Sequence, residues 1–153
     1  MTQQGAQPFT PQEHLVPMEE DQYLPVQWRL VWFHQATGPR AGYVTVEVEH
    51  DRSAGFARFL TIAWDGRGES WHPLKVHGVE LAVCGRVATG EGSESQSQFP
   101  DYYEAAATKA LGRALAGLGF GTQFATEHTV PINQEGVSAR PPRAPAGAKA
   151  TVH

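Results

Sequence analysis

The chain has 153 residues, of which 41% are hydrophobic and 18% are charged, and its formal net charge is −4 at neutral pH. This length can enclose one core, and the composition indicates a soluble globular chain and excludes a disordered one. The net negative charge argues against a protein that binds polyanions over its whole surface, and the single cysteine, Cys84, excludes an internal disulfide framework and fits a reducing compartment.

Membrane and secretion signals are not evident in the sequence. No apolar run approaches the roughly 18 residues that a membrane helix needs, and the first residues lack the basic and then apolar pattern of a secretion signal. We therefore expect a cytoplasmic protein that has no membrane partner.

The first 22 residues differ from the rest of the chain. They are rich in Gln, Pro and acidic side chains, and they contain no Lys or Arg. Because residues 1–22 also lack periodicity, we predict a mobile acidic tail. The alternative is a functional tail, in which the acidic side chains compete with DNA for binding to the protein.

A short helix is predicted over residues 25–35. Pro25 suits a first helical turn. The side chains that recur at helical spacing are Val26, Arg29, Leu30 and Phe33. A strand is the alternative, because the run at 30–33 is densely apolar. We interpret Trp28 and Trp32 as core or subunit-interface residues in preference to platforms for bases.

Two strands are predicted next, over 42–50 and 56–64, with a turn at 51–55 that makes them a hairpin. The first strand alternates, which predicts one face in water. Its two sides are Val44, Val46 and Val48, and Thr45, Glu47 and Glu49.

The region between the hairpin and the last helix is less regular. We predict a loop or short insertion at 69–78 and a third strand over 79–89. Gly85 is expected to mark a bulge or a close approach within that strand. Residues 90–98 are interpreted as a polar linker.

The clearest helical period lies in residues 101–125. Asp101 can cap the helix, Glu104 complements the helix dipole, and glycines end the helix at 117, 119 and 121. Its many alanines predict close packing on a flat partner such as a sheet, and Gly112 requires a close approach as well. These elements predict an α+β fold: a three-stranded antiparallel sheet (a β-β-β-α core), preceded by a short helix, with the long small-residue helix packed on the sheet.

Three regions follow from this pattern. They are an acidic tail at 1–22, one domain at 23–125, and a Pro/Ala-rich disordered tail at 126–153. Between residues 24 and 125 there are nine Lys and Arg against ten Asp and Glu. A nucleic-acid surface would therefore have to be a local groove.

Signatures of catalysis are missing from the sequence. The seven histidines are dispersed, and no pair has the spacing of a zinc protease. A metal site built from His72, His77 and carboxylates remains an alternative. The glycines at 117, 119 and 121 follow a helix, so they do not form a dinucleotide loop, and no phosphate-cradling Gly-Lys-Ser/Thr loop is present. We predict a protein that is not an enzyme and has no cofactor.

Two cations stand four residues apart on the long helix. Lys109 and Arg113 project together, and Tyr102 precedes them on the same helix. Two cations with an aromatic ring suit phosphate contact and base stacking. The alternative is an ordinary solvated face.

Several strings of the sequence, in order, match one known family. They are YLPVQWRLVWF at 23–33, GRVATGEGSE at 85–94, FPDYYEAA at 99–106 and EAAATKALGRALAGLGFGTQFA at 104–125. Together they resemble ERF-type single-strand annealing proteins of phages and bacteria. Residues 108–115 match the core of that family's signature, and 119–121 match its Gly-aromatic-Gly turn. The chain departs from the family at Ala107, where Glu is common.

The resemblance implies a protein that binds single-stranded DNA and anneals complementary strands without ATP, in recombination or repair. Family members form rings or filaments, which implies a homo-oligomer here, with a single-strand-binding protein or a nuclease as further partners. The expected phosphate contacts are Lys109, Arg113, Arg86, Arg58 and Arg29, and the expected stacking or groove-wall residues are Tyr102 and Tyr43. An adaptor domain of the same fold that binds protein is the main alternative, and a metal-dependent nuclease is a third.

Overall fold

The structure is a computed structural model, which describes residues 7–18 and 21–121. The predicted tail at 126–153 and part of the one at 1–22 lie outside the described residues. Within them the elements, in chain order, are a 3-10 turn Pro11–His14, β1 Val16–Met18, β2 Asp21–Tyr23, α1 Val26–Ala36, β3 Gly42–Asp51, β4 Phe56–Trp64, β5 Trp71–Val76, β6 Val79–Cys84, β7 Val87–Ser95 and α2 Tyr102–Gly117.

The centre of the fold is an antiparallel three-stranded sheet in the order β3-β4-β7, and α2 lies across one of its faces. Ala106 and Ala110 of α2 pack on Ala57 and Phe59 of β4. Toward its C-terminal end, α2 joins α1 in a second cluster around Phe33. The predicted α+β architecture with a helix on a three-stranded sheet is confirmed.

Glycines in β7 explain how closely α2 approaches the sheet. A Cβ atom on Gly92 would lie 2.6 Å from the Ala110 nitrogen, and one on Gly90 would lie 2.5 Å from the Ala114 nitrogen. Four residues of helix advance about 6 Å, and two residues of strand advance about 6.8 Å. Small residues at every fourth position of α2 therefore meet glycines at every second position of β7, and the two backbones come into contact.

The predicted helix at 25–35 is confirmed as α1. Its buried side chains are Val26, Arg29 and Phe33. The Trp32 ring meets the Phe120 ring edge-on, with 5.0 Å between the centroids. Both α1 and the chain after α2 therefore contribute aromatic side chains to one end of the core.

A β-bulge changes the sides on which the β3 residues lie. Glu47 pairs with Phe59 and Glu49 pairs with Arg58, so Val48 is an extra residue in β3. Glu47 therefore lies on the α2 side of the sheet and Glu49 lies on the other. The prediction that these two carboxylates share one wet face was wrong, because one inserted residue reverses the alternation of a strand.

The segment between β4 and β7 is a separate hairpin. β5 and β6 pair across the two-residue turn His77-Gly78, whose φ angles of 47° and 76° suit a tight hairpin turn. Of the predicted alternatives for 69–78, a loop or a short insertion, the structure shows the insertion, which is this inserted hairpin. The predicted third strand over 79–89 is two strands, β6 and the start of β7.

Gly85 and the predicted linker at 90–98 also have defined places. Gly85 has a φ of 81°, and a Cβ on it would lie 2.7 Å from the Arg67 nitrogen. The predicted close approach at Gly85 is confirmed. The predicted linker is largely strand, because β7 runs to Ser95. The Gly and Ser residues of this segment allow β7 to contact the α2 backbone, so they do not indicate a loop here.

Secondary structure begins before residue 23. β1 and β2 pair as a small antiparallel hairpin. The His14 ring stacks on the Trp28 ring at 3.9 Å between centroids, and Phe9 stacks on His14 at 4.8 Å. In its described part, the segment predicted as a mobile tail is thus attached to α1. No helix among the described residues has the length and apolarity to cross a membrane.

Candidate nucleic-acid interface

Lys109 holds α2 to β7. Its Nζ donates to the Ser93 carbonyl at 3.0 Å and lies 2.7 Å from Oε1 of Glu94. The two side chains are only 11% and 3% exposed. A phosphate contact would require this enclosed ion pair to separate, which is costly. The geometry therefore argues against the phosphate role that the sequence predicts for Lys109.

Arg113 continues the same pattern one turn later. Its Nη1 donates to the Glu91 carbonyl at 2.7 Å, and the residue remains exposed. β7 lies at the edge of the three-stranded sheet. Because four helical residues and two strand residues span similar lengths, Lys109 and Arg113 reach the carbonyls of Ser93 and Glu91 in step. These two cations thus cover backbone acceptors of an edge strand, and only Arg113 also faces solvent.

Arg86 lies where the chain enters β7. Its Nε donates to Oδ2 of Asp65 at 3.1 Å, and its Nη2 donates to the Leu118 carbonyl at 2.9 Å. Burial of Asp65 opposes its ionisation, but hydrogen bonds from the Arg67 and Arg86 backbone and from the Arg86 guanidinium outweigh burial and lower the pKa of Asp65. Arg86 therefore links the sheet, the base of the inserted hairpin and the end of α2.

Arg29 is fully buried, which argues against the phosphate contact that the sequence predicts for it. Its Nε donates to the Leu24 carbonyl at 2.7 Å, and its Nη1 donates to the Gly112 carbonyl at 3.3 Å. The guanidinium also lies over the Tyr23 ring, 5.1 Å from its centroid. Gly112 accordingly lies in the contact of α2 with Arg29 of α1.

The other predicted residues do not come together. Arg58 lies 3.5 Å from Glu49 on the sheet face away from α2. Tyr43 stands near the start of β3, whereas Tyr102 contacts His50 near the end of that strand. Seven strand residues span about 23 Å. The seven predicted residues therefore do not line one groove.

Among the described residues, no group of three or more His, Cys, Asp or Glu side chains could hold a metal ion. His72 and His77 lie on the inserted hairpin. Cys84 is buried, and its Sγ lies 3.2 Å from the Gly68 carbonyl oxygen. It is a packed core residue.

One cleft does contain a predicted residue, and we call it the α2 N-terminal cleft. It encloses about 760 Å³, and its lining is Glu47, His50, Arg52, Gln96, Tyr102, Tyr103 and Glu104. These residues come from the end of β3, the following turn, the segment after β7 and the first turn of α2. The cleft therefore forms only when the helix lies on the sheet.

Hydrogen bonds fix the orientation of the aromatic side chains in this cleft. The Tyr103 hydroxyl donates to Oε2 of Glu47 at 2.6 Å, and Nε2 of His50 lies 3.1 Å from the Tyr102 hydroxyl. The hydrogen bond to Glu47, together with burial, raises the pKa of Tyr103 above its usual value. Tyr103 also meets Phe59 edge-on at 4.9 Å between centroids. Both tyrosines are thus held in place.

The turn between β3 and β4 positions Arg52 at the cleft. Oδ1 of Asp51 accepts hydrogen bonds from the Ser53 hydroxyl at 2.7 Å and from the Ser53 and Ala54 backbone at 3.0 Å each. The Ser53 hydroxyl bond is the main reason that the pKa of Asp51 is lowered. The ionised carboxylate therefore braces the turn on which Arg52 is carried.

Comparison with known proteins gives no relative for this chain. No family model, no curated protein and no solved structure matches it. The functional argument therefore depends on the residues and contacts described above.

Sequence reasoning missed His50, Arg52, Gln96 and Tyr103 as cleft residues. They are separated by as many as 53 positions, from 50 to 103, and no short motif joins them. The paired aromatic rings at 102 and 103 at a helix start were the available signal. Helical spacing points to Tyr102 alone, because it shares a side of α2 with the cations.

Proposed function

We propose that this domain binds single-stranded DNA and promotes annealing of complementary strands without ATP. The observation that carries the proposal is that the segments resembling ERF-type annealing proteins contact one another. Arg29 of the first segment donates to Gly112 of the last, and Lys109 of the last donates to Ser93 of the second. The matched segments thus pack together as one unit. This supports the interpretation that they correspond to one structural unit of the family.

Annealing requires no covalent chemistry. It requires that strands be held along their phosphates while the base edges stay open for pairing. Few exposed cations are available in one copy of this chain, so affinity has to come from repetition, and we propose a ring or filament of identical copies. In this role the protein would act in the cytoplasm, with a single-strand-binding protein or a nuclease as further partners.

The test is annealing of two complementary labelled oligonucleotides, without ATP, over a series of salt concentrations, with light scattering to give the mass of the protein. We expect acceleration by a large oligomer and a loss of that acceleration as salt rises. Arg113→Ala should slow annealing, whereas the matched control Lys75→Ala, on the inserted hairpin, should not. The proposal would be overturned if the protein were a small discrete species that did not accelerate annealing at low salt.

An adaptor domain that binds protein is the second candidate. Six of the nine Lys and Arg side chains between residues 24 and 125 donate to backbone carbonyls: Arg29, Arg40, Arg67, Arg86, Lys109 and Arg113. Cations that stabilise the fold are less available to DNA, which favours this candidate. Absence of DNA binding even at low salt would support it.

A further inference from the structure

We propose that the α2 N-terminal cleft is a nucleotide subsite, in which one base of the bound strand lies against Tyr102 and its phosphate contacts Arg52. The inference rests on the proposed function, because it assigns a place on the domain to one nucleotide of a single strand. It adds residues that the resemblance does not supply, since His50, Arg52 and Gln96 lie outside the matched core of the signature.

Arg52 is distinguished by its lack of described partners. Of the nine Lys and Arg side chains between residues 24 and 125, six donate to backbone carbonyls, and Arg58 and Lys75 pair with Glu49 and Glu80. Within the described part of the chain, Arg52 is left with no hydrogen bond or ion pair. It is exposed and carried on a braced turn at the rim of the cleft. A guanidinium in that position is available for bidentate contact with a phosphate.

Three aromatic rings lie close together in the cleft, with the His50 ring tilted by 45° from Tyr103 and by 58° from Tyr102, and each ring offers a face to a flat ligand. His50 and Tyr103 have centroids 4.6 Å apart, and His50 and Tyr102 have centroids 6.0 Å apart. The two tyrosines are anchored by their hydroxyl groups, so their rings lose little further freedom when a base binds. A volume of about 760 Å³ falls in the range of small-ligand sites. Stacking on a tyrosine tolerates any base, because every base has a π face.

Two polar groups of the cleft suggest which bases bind best. The side chains of Gln96 and Glu104 line it, and an amide can both donate to and accept from a base edge. A carboxylate accepts from an amino group such as cytosine N4, but it repels the O4 acceptor of thymine. The other carboxylate of the cleft, Glu47, already accepts a hydrogen bond from the Tyr103 hydroxyl. Cytosine is therefore expected to bind the subsite more tightly than thymine.

The test uses the full chain and fluorescence anisotropy with labelled dC20 and dT20 strands, together with NMR titration of dCMP, dTMP and inorganic phosphate. Tyr102→Ala should weaken strand binding about tenfold, in line with the loss of one stacked base. Arg52→Ala should weaken it uniformly across sequences and lower the slope of binding against salt by about one. The matched controls Trp71→Ala and Lys75→Ala, on the inserted hairpin, should leave binding unchanged. Thermal melting checks that each variant folds.

The outcomes separate the subsite from the function on which it rests. Tighter binding of dC20 than dT20, with the losses expected for Tyr102→Ala and Arg52→Ala, supports the subsite. Wild-type strand binding that neither substitution weakens overturns the subsite and leaves the annealing function intact. No strand binding by the wild type overturns both. Binding of inorganic phosphate as tightly as dCMP, with no response of the tyrosine signals, overturns the base contact.

Discussion

Lys109 and Glu94 form an ion pair that is nearly closed to solvent, with Nζ 2.7 Å from Oε1, between α2 and the edge strand β7. The same Nζ also donates to the Ser93 carbonyl. The cation that the sequence offers as a ligand for DNA is therefore part of the packing of the domain. Its removal should affect folding before it affects binding.

Breaking this pair from one side should be costly. Glu94→Gln is expected to lower the free energy of unfolding by about 3–5 kcal/mol, because it leaves the Lys109 charge enclosed and unneutralised. The double substitution Lys109→Met with Glu94→Gln should cost less than the sum of the two single changes. Urea denaturation measures all three. The exposed pair Lys75–Glu80 is the control, and Glu80→Gln should change stability by less than about 1 kcal/mol. Equal effects at the two pairs would contradict the enclosed geometry.

The contact between the α2 and β7 backbones can be tested at a single glycine. Gly92→Ala should destabilise the fold by about 1–3 kcal/mol or more, because the new Cβ would meet the α2 backbone, which cannot move like a flexible side chain. Gly38→Ala is the matched control, since a Cβ at Gly38 meets no atom within 4 Å. Thermal unfolding compares the two variants. If the Gly92→Ala and Gly38→Ala proteins had the same melting temperature, α2 would have to lie farther from β7 than the structure shows.

Asp65 predicts a dependence of stability on pH. Because the pKa of Asp65 is lowered in the folded state, the ionised side chain stabilises the fold at pH values above its pKa in the unfolded state, which is near 3.8. This stabilisation is lost as the pH falls through the pKa of the folded state. Asp65→Asn should therefore reduce stability by about 2 kcal/mol at pH 7. The difference from wild type should shrink toward pH 3. Denaturation curves at both pH values measure it, and a constant difference would show that the charge of Asp65 is not the cause.

Gly112 is placed to test the contact between the two helices. It is buried, and its carbonyl accepts a hydrogen bond from Arg29. Gly112→Leu should lower stability by about 1–3 kcal/mol, because a larger side chain would push the two helices apart. Calorimetry measures the loss. A neutral result would place this side of α2 in solvent and remove the reason for a buried arginine in α1.

The helices and the β3–β4 hairpin were predictable from the sequence because their signals are local. Alanines at fixed spacing predict α2, and the turn at 51–55 joins two apolar runs. The bulge at Val48 was not predictable, since one extra residue leaves the alternating pattern unchanged while reversing the sides. The β5–β6 hairpin carries a signal in His77-Gly78, but Pro73 and the histidines in the same stretch are equally typical of a loop.

The candidate site was harder to predict than the fold. Helical spacing shows that Lys109 and Arg113 project together, but it does not show what they meet. Both donate to backbone carbonyls of β7, which every residue type has, and Lys109 also pairs with Glu94. The cleft combines a strand end, a turn, the segment after β7 and a helix start, so its composition emerges only when the four are packed. Helical spacing points to Tyr102, whereas no local pattern in the sequence points to Arg52.

The inserted β5–β6 hairpin leaves and rejoins the sheet at one point. The Asp65 nitrogen donates to the Arg86 carbonyl at 3.0 Å, and the Gly66 nitrogen donates to the Cys84 carbonyl at 2.9 Å. The ends of the insertion are therefore tied together by bonds at its base, whatever the length of the chain between them. This makes the hairpin tip a natural site at which to introduce a fluorophore or an affinity tag. Such a label would report on assembly of the protein without disturbing α2 or the strands beneath it.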